Sequence, residues 1–308
     1  MDLSLRQLRA YAAVARAGSF TAAARELRVS QSALSRTVAE IERRVRVRLL
    51  ERDTRRVALT AHGAELLRTA ERVLDVHDSE LRRLERYFAG ESGTVTIATL
   101  PSVAAVLLPG VVATFRRQRP EIGVRILDGL ARTVLDRVTA GEADLAITIA
   151  ADLPPGLRAT PLVRDRFYAT LPPEHPLAER DGLTWARLAA EPFIAIGTDS
   201  SVRLFTDRAF SRAGASPAHV IEAGNVATVG GLVAARLGVS ALPALVRALM
   251  SFADLAHRPL TDPEVDRGLS VVLPADRTLS PAAGRFLELL DALPATGHAL
   301  PAGITWAT

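Results

Sequence analysis

The sequence predicts an α/β protein in three parts: a small helical head with a two-stranded wing, a long connecting helix, and a larger body of alternating strands and helices. Three observations support this prediction. Short apolar helical segments with capping residues fill the head, a proline-free stretch with heptad spacing follows, and strand-like apolar runs then alternate with helical ones. At 308 residues and 48% hydrophobic composition, the chain is long enough for more than one core.

Composition excludes several kinds of site. The chain contains no cysteine, so disulfides, thiolate nucleophiles and cysteine-based zinc sites are ruled out, and a reducing cytoplasm suits it. Its six histidines are scattered without the spacing of metal ligands. The residues after Met1 do not resemble an export leader, and the most apolar run, Val103–Val112, is far shorter than a membrane span. We therefore expect a cytoplasmic protein with no membrane segment, no metal site and no cofactor.

Charge is distributed unevenly along the chain. Met1–Thr60 holds 13 arginines and 6 acidic residues, a net charge of +7, whereas the remainder holds 25 arginines and 28 acidic residues, a net charge of −3. No lysine occurs, so the choice of arginine says nothing by itself, and only its clustering is informative. A basic head on a mildly acidic body favours contact between the head and a polyanion.

The head begins with short helices whose caps can be recognised in the sequence. Ser4 and Gln7 have the spacing of a capping box, apolar residues at helical spacing follow, and Gly18 can end the first helix in a left-handed cap. Ser19 or Thr21 then caps a second helix.

The third predicted helix has one buried and one polar face. Ser30 is its N-cap, and Leu34, Val38 and Ile41 recur at a spacing that buries one side. The side chains on the outer face near the N-terminus are Gln31, Ser32, Ser35 and Arg36. Such a helix fits the DNA major groove, where these groups can bond to base edges or phosphates. A helical hairpin with a solvated polar face fits this stretch equally well.

A charged turn between two short apolar runs follows the third helix. Leu49–Arg52 and Val57–Thr60 are predicted strands around Asp53–Arg56, which together make a wing. The head resembles the winged helix-turn-helix of LysR-type transcriptional regulators, since AVARAGSFTAAARELRVSQSALSRTVAEIE, LLER and LTAHG match the family pattern at consistent spacing. The resemblance covers residues 1–60.

Three departures from the family pattern lie after the third helix and in the wing. Val45-Arg46 replaces the usual Leu-Gly, Arg48 stands where proline is common, and Leu50 replaces phenylalanine. We therefore expect the third helix to end without a glycine cap and the wing to differ in detail.

The resemblance implies a set of DNA-facing residues in the head. They are Thr21, Ser30, Gln31, Ser32, Ser35, Arg36, Arg52 and Arg55. In such interfaces, phosphate contacts supply most of the affinity and base contacts supply the sequence preference. Two alternatives stay open: Ser30 can be a helix cap, and Arg52 can form an ion pair within the head.

The segment from Ala61 to Phe88 predicts one long helix, because no proline interrupts it. Its heptad seam consists of Leu67, Ala70, Leu74, His77, Leu81, Leu84 and Phe88. An exposed seam needs a partner, and a second copy of the chain is the simplest one. Packing against the chain's own body is the alternative. The sequence leaves dimer and tetramer open, and the family resemblance implies four chains.

Beyond a predicted hinge at Gly90–Gly93, strand-like and helical runs alternate. The predicted strands are Thr94–Thr99, Val124–Leu127, Leu145–Ile149, Phe167–Leu171, Phe193–Ile196, Val220–Glu222 and Val239–Leu242. The predicted helices are Val103–Gln118, Val134–Ala140, Leu204–Ala213 and Val226–Leu237. This rhythm predicts mostly parallel sheets with helices on both faces. Ligands in such folds bind beyond the carboxyl ends of the strands, near helix N-termini.

The runs GEADLAI and GLVAARLGVSALP extend the resemblance into the body. They are similar to the LysR effector domain, which has the two-lobe fold of periplasmic solute-binding proteins. The resemblance implies a DNA-binding domain at 1–60, a linker and dimerisation helix at 61–90, and an effector domain at 91–308. Its first lobe would comprise 91–162 and 262–308, and its second lobe 163–261, with a small effector between them.

Five residues correspond by position to the wall of that cleft. Ser102, Thr148, Thr198 and Thr228 lie at or just beyond predicted strand ends, where hydroxyl and backbone N–H groups suit an anion, although each can be a plain helix cap. Leu130 stands where the family has a polar residue, so we expect one apolar wall. The expected effector is small and partly hydrophobic, such as a partly apolar carboxylate.

Three classes of function fit a body of this kind. The basic head favours a transcriptional regulator that binds double-stranded DNA, a small-molecule effector and further copies of itself. An extracellular solute-binding protein shares the body fold but needs no basic head. An enzyme lacks support, because the sequence has no nucleophile elbow, dinucleotide fingerprint, phosphate loop or metal-ligand spacing. The sequence therefore predicts a regulator with no enzymatic activity.

Overall fold

The structure is a computed structural model that describes residues 2–52 and 57–307, except for the side chain of Arg52. The chain divides into two units, Met1–Arg86 and Tyr87–Thr308. Within the described ranges, no helix has both the length and the apolar composition required to cross a lipid bilayer.

Short helices and a two-stranded wing precede the long helix of the first unit. These elements are α1 (Leu5–Ala17), α2 (Phe20–Glu26), α3 (Gln31–Val45), β1 (Leu50–Arg52), β2 (Val57–Leu59) and α4 (Ala61–Phe88). Ser4 and Gln7 form the predicted capping box, and Gly18 ends α1 with a φ of 58°. Ser19 and Ser30 cap α2 and α3 through their side-chain oxygens. Local capping therefore fixes where each helix begins.

The turn from α3 into the wing uses an arginine where the family pattern has glycine. Arg46 ends α3 in the left-handed conformation with a φ of 60°, which confirms that no glycine caps this helix. That conformation costs a non-glycine residue about 1–2 kcal/mol. The Glu42 carboxylate accepts hydrogen bonds from the backbone N–H groups of Leu49 and Leu50 at 2.8 and 3.2 Å. This carboxylate holds the chain at the start of β1.

The first turn of α4 packs against α1 and the residue that precedes β1, and Gly63 in this turn has no space for a side chain. Tyr11 donates its hydroxyl hydrogen to the Gly63 carbonyl at 2.8 Å, and burial, assisted by the Glu42 charge, raises the pKa of Tyr11 to about 12. A Cβ on Gly63 would overlap the Leu49 carbonyl oxygen and lie 2.7 Å from the Tyr11 hydroxyl oxygen. The glycine of the LTAHG run is therefore required by packing.

The second unit contains a nine-stranded sheet and a separate two-stranded sheet. Its strands are β3 (Gly93–Thr99), β4 (Ile122–Asp128), β5 (Leu145–Thr148), β6 (Leu157–Leu171), β7 (Leu183–Thr184), β8 (Phe193–Ile196), β9 (Val220–Ala223), β10 (Ser240–Pro243), β11 (Ala256–Thr261), β12 (Asp266–Pro274) and β13 (Ile304–Trp306). Its α-helices are α5 (Leu108–Gln118), α6 (Ala131–Thr139), α7 (Trp185–Ala189), α8 (Ser201–Arg212), α9 (Val226–Ala234), α10 (Ala244–Arg247) and α11 (Pro281–Ala292). A π-helical segment, Val103–Leu107, leads into α5, and the 3-10 turns are Pro176–Glu179, Ala248–Met250 and Leu293–Thr296.

The prediction of mostly parallel sheets is wrong for the large sheet, which is mixed. Strand β3 pairs in parallel with β4 and β5, but β6 pairs antiparallel with β10, β11, β12 and β13. Only the end of β6, Phe167–Leu171, was predicted, because Arg164–Arg166 interrupts its apolar pattern. Pairing along β12 supplies the backbone hydrogen bonds of this stretch whatever its side chains are.

Three hydrophobic cores lie in the second unit, and β6 contributes buried residues to the two larger ones. Val163 belongs to the core that includes Phe115 and Phe286, whose rings meet edge to face at 5.1 Å between centroids. Phe167 belongs to the core that includes Trp185. Asp165 lies between these two β6 residues and is fully buried.

We predict that Gly63→Ala destabilises the first unit by several kcal/mol, in the way that overpacking of a buried site does, since the Cβ meets backbone that cannot move independently. Chemical unfolding followed by circular dichroism measures the change. Gly284→Ala in α11 is the control, because nothing lies within 4 Å of its Cβ position, and it should gain about 1 kcal/mol from helix propensity. Equal effects of the two substitutions would contradict the packing role of Gly63.

Candidate nucleic-acid interface and ligand cavity

The N-terminal turn of α3 presents polar groups to solvent. Thr21, Gln31 and Ser32 are exposed, and Ser35 is half-buried. The Thr21 hydroxyl donates to Gln31 Oε1 at 3.2 Å, so the structure brings these predicted residues together across the turn between α2 and α3. This bond orients the Gln31 amide and leaves its nitrogen available as a donor.

Ser30 has the capping role that was the alternative to a DNA contact. Its Oγ accepts the N–H of Ala33 at 3.2 Å and lies 3.2 Å from the Ser32 hydroxyl. Capping does not remove the remaining hydrogen-bonding capacity of the two hydroxyls. The DNA contact of Ser30 therefore stays a prediction beside an observed cap.

Arg36 is exposed and has no ion-pair or hydrogen-bond partner within residues 2–52 and 57–307. By contrast, Arg43 and Arg44 further along α3 both pair with Glu40. Arg36 lines a groove of about 740 Å³ between α1 and α3, together with Arg6. The guanidinium nearest the start of α3 is thus free to bind another molecule.

The wing arginines are described only in part. Arg52 lies in β1, which pairs with β2 in register Arg52 to Val57. Arg55 lies outside the described residues. DNA contacts by both arginines stay predictions.

The predicted seam of α4 has two different environments. Ala70 and Leu74 are buried in the core of the first unit, and the ion pairs Arg9–Asp78 and Arg16–Glu71 also tie this half of α4 to α1. These two seam residues therefore face the chain's own head. The exposed apolar side chains on the same side of α4 are Val73, Leu81, Leu84 and Phe88.

A cavity of about 330 Å³ lies between the two larger cores of the second unit. Its wall consists of the segments that follow β3, β4, β8 and β9, which are Leu100–Ser102, Gly129–Ala131, Ile196–Val202 without Thr198, and Gly224–Ala227, together with Val246, Leu249 and Arg267. Helices α6, α8 and α9 begin at this wall. It is the location where an open α/β sheet binds ligands.

Two of the five predicted effector residues line this cavity. Ser102 is 4% exposed and Leu130 is 46% exposed. Thr148 is fully buried, and its hydroxyl has no hydrogen-bond partner among the described atoms. Thr198 and Thr228 are exposed and do not belong to the cavity wall. Effector contacts of these three threonines stay predictions.

Ser102 has a partner that the sequence did not indicate. It makes no helix-capping bond, and its Oγ accepts a hydrogen bond from Arg267 Nη2 at 3.1 Å. The same Nη2 donates to Asp165 Oδ2 at 2.6 Å, while Asp165 Oδ1 accepts the N–H of Leu245 at 3.1 Å. Burial raises the pKa of Asp165, although the Arg267 charge acts in the opposite direction. We call Ser102, Asp165 and Arg267 the buried polar cluster.

Sequence reasoning missed Asp165 and Arg267 for a simple reason. They are 102 positions apart and become neighbours only through the β6–β12 pairing, in which they are register partners. Each lies beside other charged residues in the sequence, Asp165 between Arg164 and Arg166 and Arg267 after Asp266, so nothing local marks them as buried or identifies the partner.

Comparison with known proteins agrees with both units. Residues 5–64 match the family described as bacterial regulatory helix-turn-helix protein, lysR family, and residues 88–294 match the LysR substrate binding domain. The chain is 34% identical to the HTH-type transcriptional regulator YfeR of Shigella flexneri, over 98% of this chain and 97% of YfeR. It is 29% identical to the transcriptional dual regulator GltC of Bacillus subtilis, over 94% and 96% of the two chains.

Solved structures give the same result. The LysR family transcriptional regulator CbnR superposes with a TM-score of 0.76 at 25% identity, over 94% of this chain and 100% of CbnR. CbnR in complex with its target DNA superposes with a TM-score of 0.77 at 25% identity, over 94% and 99% of the two chains. The chain belongs to the LysR family of DNA-binding transcriptional regulators, with a helix-turn-helix domain followed by a substrate-binding domain.

Proposed function

We propose that this regulator reads double-stranded DNA with the N-terminal turns of α3. The observation that carries the proposal is an exposed polar helix start, with Gln31 oriented by Thr21 and Arg36 without a partner among the described residues. A helix of this kind enters the major groove, where glutamine and arginine recognise adenine and guanine edges. Ser32 and Ser35 are placed to add contacts on the same face.

Phosphate contacts by arginines around α3 complete the proposed interface. Arg25, Arg28 and Arg48 are exposed and have no ion pair among the described residues, and Arg52 and Arg55 belong to the wing. Each arginine that neutralises a phosphate releases a condensed counterion, so affinity falls as salt rises. The +7 net charge of the first 60 residues suits this role.

We predict that Arg36→Ala weakens binding to a preferred duplex by about 1–3 kcal/mol and relaxes the preference at one base position. Arg55→Ala should weaken preferred and random duplexes alike and lower the salt slope by about one. Selection from a random duplex library, followed by titrations at several salt concentrations, measures both effects. Arg117→Ala in α5 is the matched control for loss of a charge. Wild-type affinity and salt slope in the Arg36/Arg55 double variant would refute this docking.

We propose further that two copies pair through the exposed stripe of α4, formed by Val73, Leu81 and Leu84. These side chains are 41%, 46% and 46% exposed and lie on one side of the helix. Exposed apolar side chains that lie together on one side of a helix mark an interaction surface. The resulting dimer would bind two half-sites separated by a whole number of helical turns, about 34 Å each, and four chains would assemble from two dimers.

Leu84→Asp should dissociate the dimer, because association would bury an unpaired carboxylate. Sedimentation velocity at micromolar concentration measures the mass. Arg82→Asp, on the opposite side of α4, is the matched control and should remain dimeric. Leu74→Asp is unsuitable as a test, since Leu74 lies in the core of the first unit and its replacement would unfold that unit. A wild-type monomer would exclude the pairing.

We propose that the cavity between the two cores binds the small-molecule effector. The cavity lies at the carboxyl ends of strands, and residues of both larger cores form its wall, which supports this role. Its volume lies at the small end of the range for ligand pockets. In this proposal, residues 91–162 and 262–308 form one lobe and 163–261 the other, with 1–60 and 61–90 as DNA-binding domain and linker. Effector binding draws the lobes together and changes how the DNA-bound copies are arranged.

Ala227→Trp should fill the cavity and abolish effector binding without affecting DNA binding. A metabolite library is screened by thermal shift on the full chain, in which a ligand at 100 times its Kd stabilises by about 2.7 kcal/mol. Ala234→Trp, at the other end of the same helix, is the matched control and should respond as wild type does. Compounds that stabilise Ala227→Trp as well as wild type would place the effector elsewhere.

The proposed role needs no catalysis and no export. The family assignment supports a regulator that acts by binding DNA and effector, and it does not support an enzyme. Regulation of transcription takes place where the DNA is, which supports a cytoplasmic location. The lack of cysteine in a chain of 308 residues is compatible with that compartment.

A further inference from the structure

Arg267 is a buried guanidinium whose hydrogen-bonding capacity is only partly used. It is 2% exposed and lines the cavity. A guanidinium has five N–H donors. The two on Nη2 bind Asp165 and Ser102, whereas the buried Nε has no partner and no bond to Nη1 exists within the described residues. Nη1 therefore keeps its donors for an acceptor in the cavity, and hydrogen bonds to a charged acceptor are among the stronger ones.

Three helix starts on the same wall add partial positive charge. Helices α6, α8 and α9 have 9, 12 and 9 residues, and their first N–H groups lie at the cavity. Ser200 and Asn225 cap α8 and α9 with one bond each, but Leu130 gives α6 no side-chain cap. Helix N-termini favour negative charge, so these groups and Arg267 attract the same kind of ligand.

The remaining wall limits that ligand to one anionic group. Asp165 already balances the Arg267 charge, and Asp199 adds a negative charge to the rim. Apolar side chains, including Leu130, Ile196 and Val246, supply much of the other surface. A second carboxylate would add to the negative charge of Asp165 and Asp199, and the described wall contains no second guanidinium to bind it.

We propose that the effector is a small monocarboxylate with an apolar body, and that Arg267 Nη1 donates to its carboxylate beside the N-terminus of α6. This proposal rests on the proposed function, which places the effector in this cavity. Arg267 acts as a specificity-determining residue, and Asp165 and Ser102 position its guanidinium.

Matched compounds that differ only in the charged group test the ligand class on the full wild-type chain. Benzoate, benzamide and benzylamine form one set, cyclohexanecarboxylate with its amide and amine forms a second, and phthalate supplies a dianion. At least one monocarboxylate should raise Tm, with its amide, its amine and phthalate weaker by about 10- to 100-fold in calorimetric affinity. Stabilisation by an amide or amine equal to that of the acid overturns the proposal, as does a panel in which no acid binds.

The double variant Asp165→Asn with Arg267→Gln tests the residue without leaving a buried charge unpaired. It should lose the same 10- to 100-fold in affinity for the acid and retain DNA binding. Arg166→Gln is the matched control, since Arg166 is adjacent on β6 but pairs with Glu264 and does not line the cavity. Undiminished acid binding by the double variant excludes Arg267. If the double variant does not fold, the matched compounds still decide the ligand class.

The two proposals fail in different ways. A neutral or cationic ligand that Ala227→Trp excludes would keep the cavity as the effector site and reject the carboxylate. An acid that binds Ala227→Trp as well as wild type would reject the cavity itself.

Discussion

The ion pair between Asp165 and Arg267 is the interaction on which the second unit depends. Both side chains are almost fully buried, their contact is 2.6 Å, and they are register partners on β6 and β12. Asp165 lies where β6 passes from one core to the other, between Val163 and Phe167. Removing one partner of such a pair costs about 3–5 kcal/mol, because a buried charge remains uncompensated. The crossing between the cores is therefore both rigid and polar, and the ligand cavity lies directly against it.

The first unit depends on a different constraint, which is close contact at the start of α4. Tyr11, Leu49 and Gly63 leave no space for a Cβ, so the long helix can begin in one position only. The following turns of α4 then complete the head's core through Ala70 and Leu74. One helix thus has two roles on adjacent faces: Ala70 and Leu74 stabilise the head, and the exposed stripe of Val73, Leu81 and Leu84 is available to a second chain. Heptad spacing alone did not separate these roles, because both surfaces have the same period.

Sequence reasoning worked best where structure is local. Capping residues and helical periodicity gave the starts of α1, α2 and α3 and the end of α1, and the exposed polar start of α3 followed from the same pattern. In the second unit, Ser102 and Leu130, which the family resemblance implied for the cleft, line the cavity, whereas Thr148, Thr198 and Thr228 do not. The antiparallel β6–β12 pairing was missed, because its charged residues conceal the strand pattern. Arg267 was missed with it, since a buried charge is identified by a partner distant in sequence.

The position of the buried polar cluster bears on how an effector would act. A ligand shifts a conformational equilibrium only by the difference in its affinity for the two states. The cavity wall includes Ser102 beside one core and Val202 from the other, so separating the cores would break contacts with the ligand on one side. Arg267 lies on β12 at the crossing, and its Nε has no hydrogen-bond partner among the described atoms. If the proposed closure takes place, affinity for the closed arrangement would come from contacts with both cores at once, and the cavity wall would supply the difference between the states.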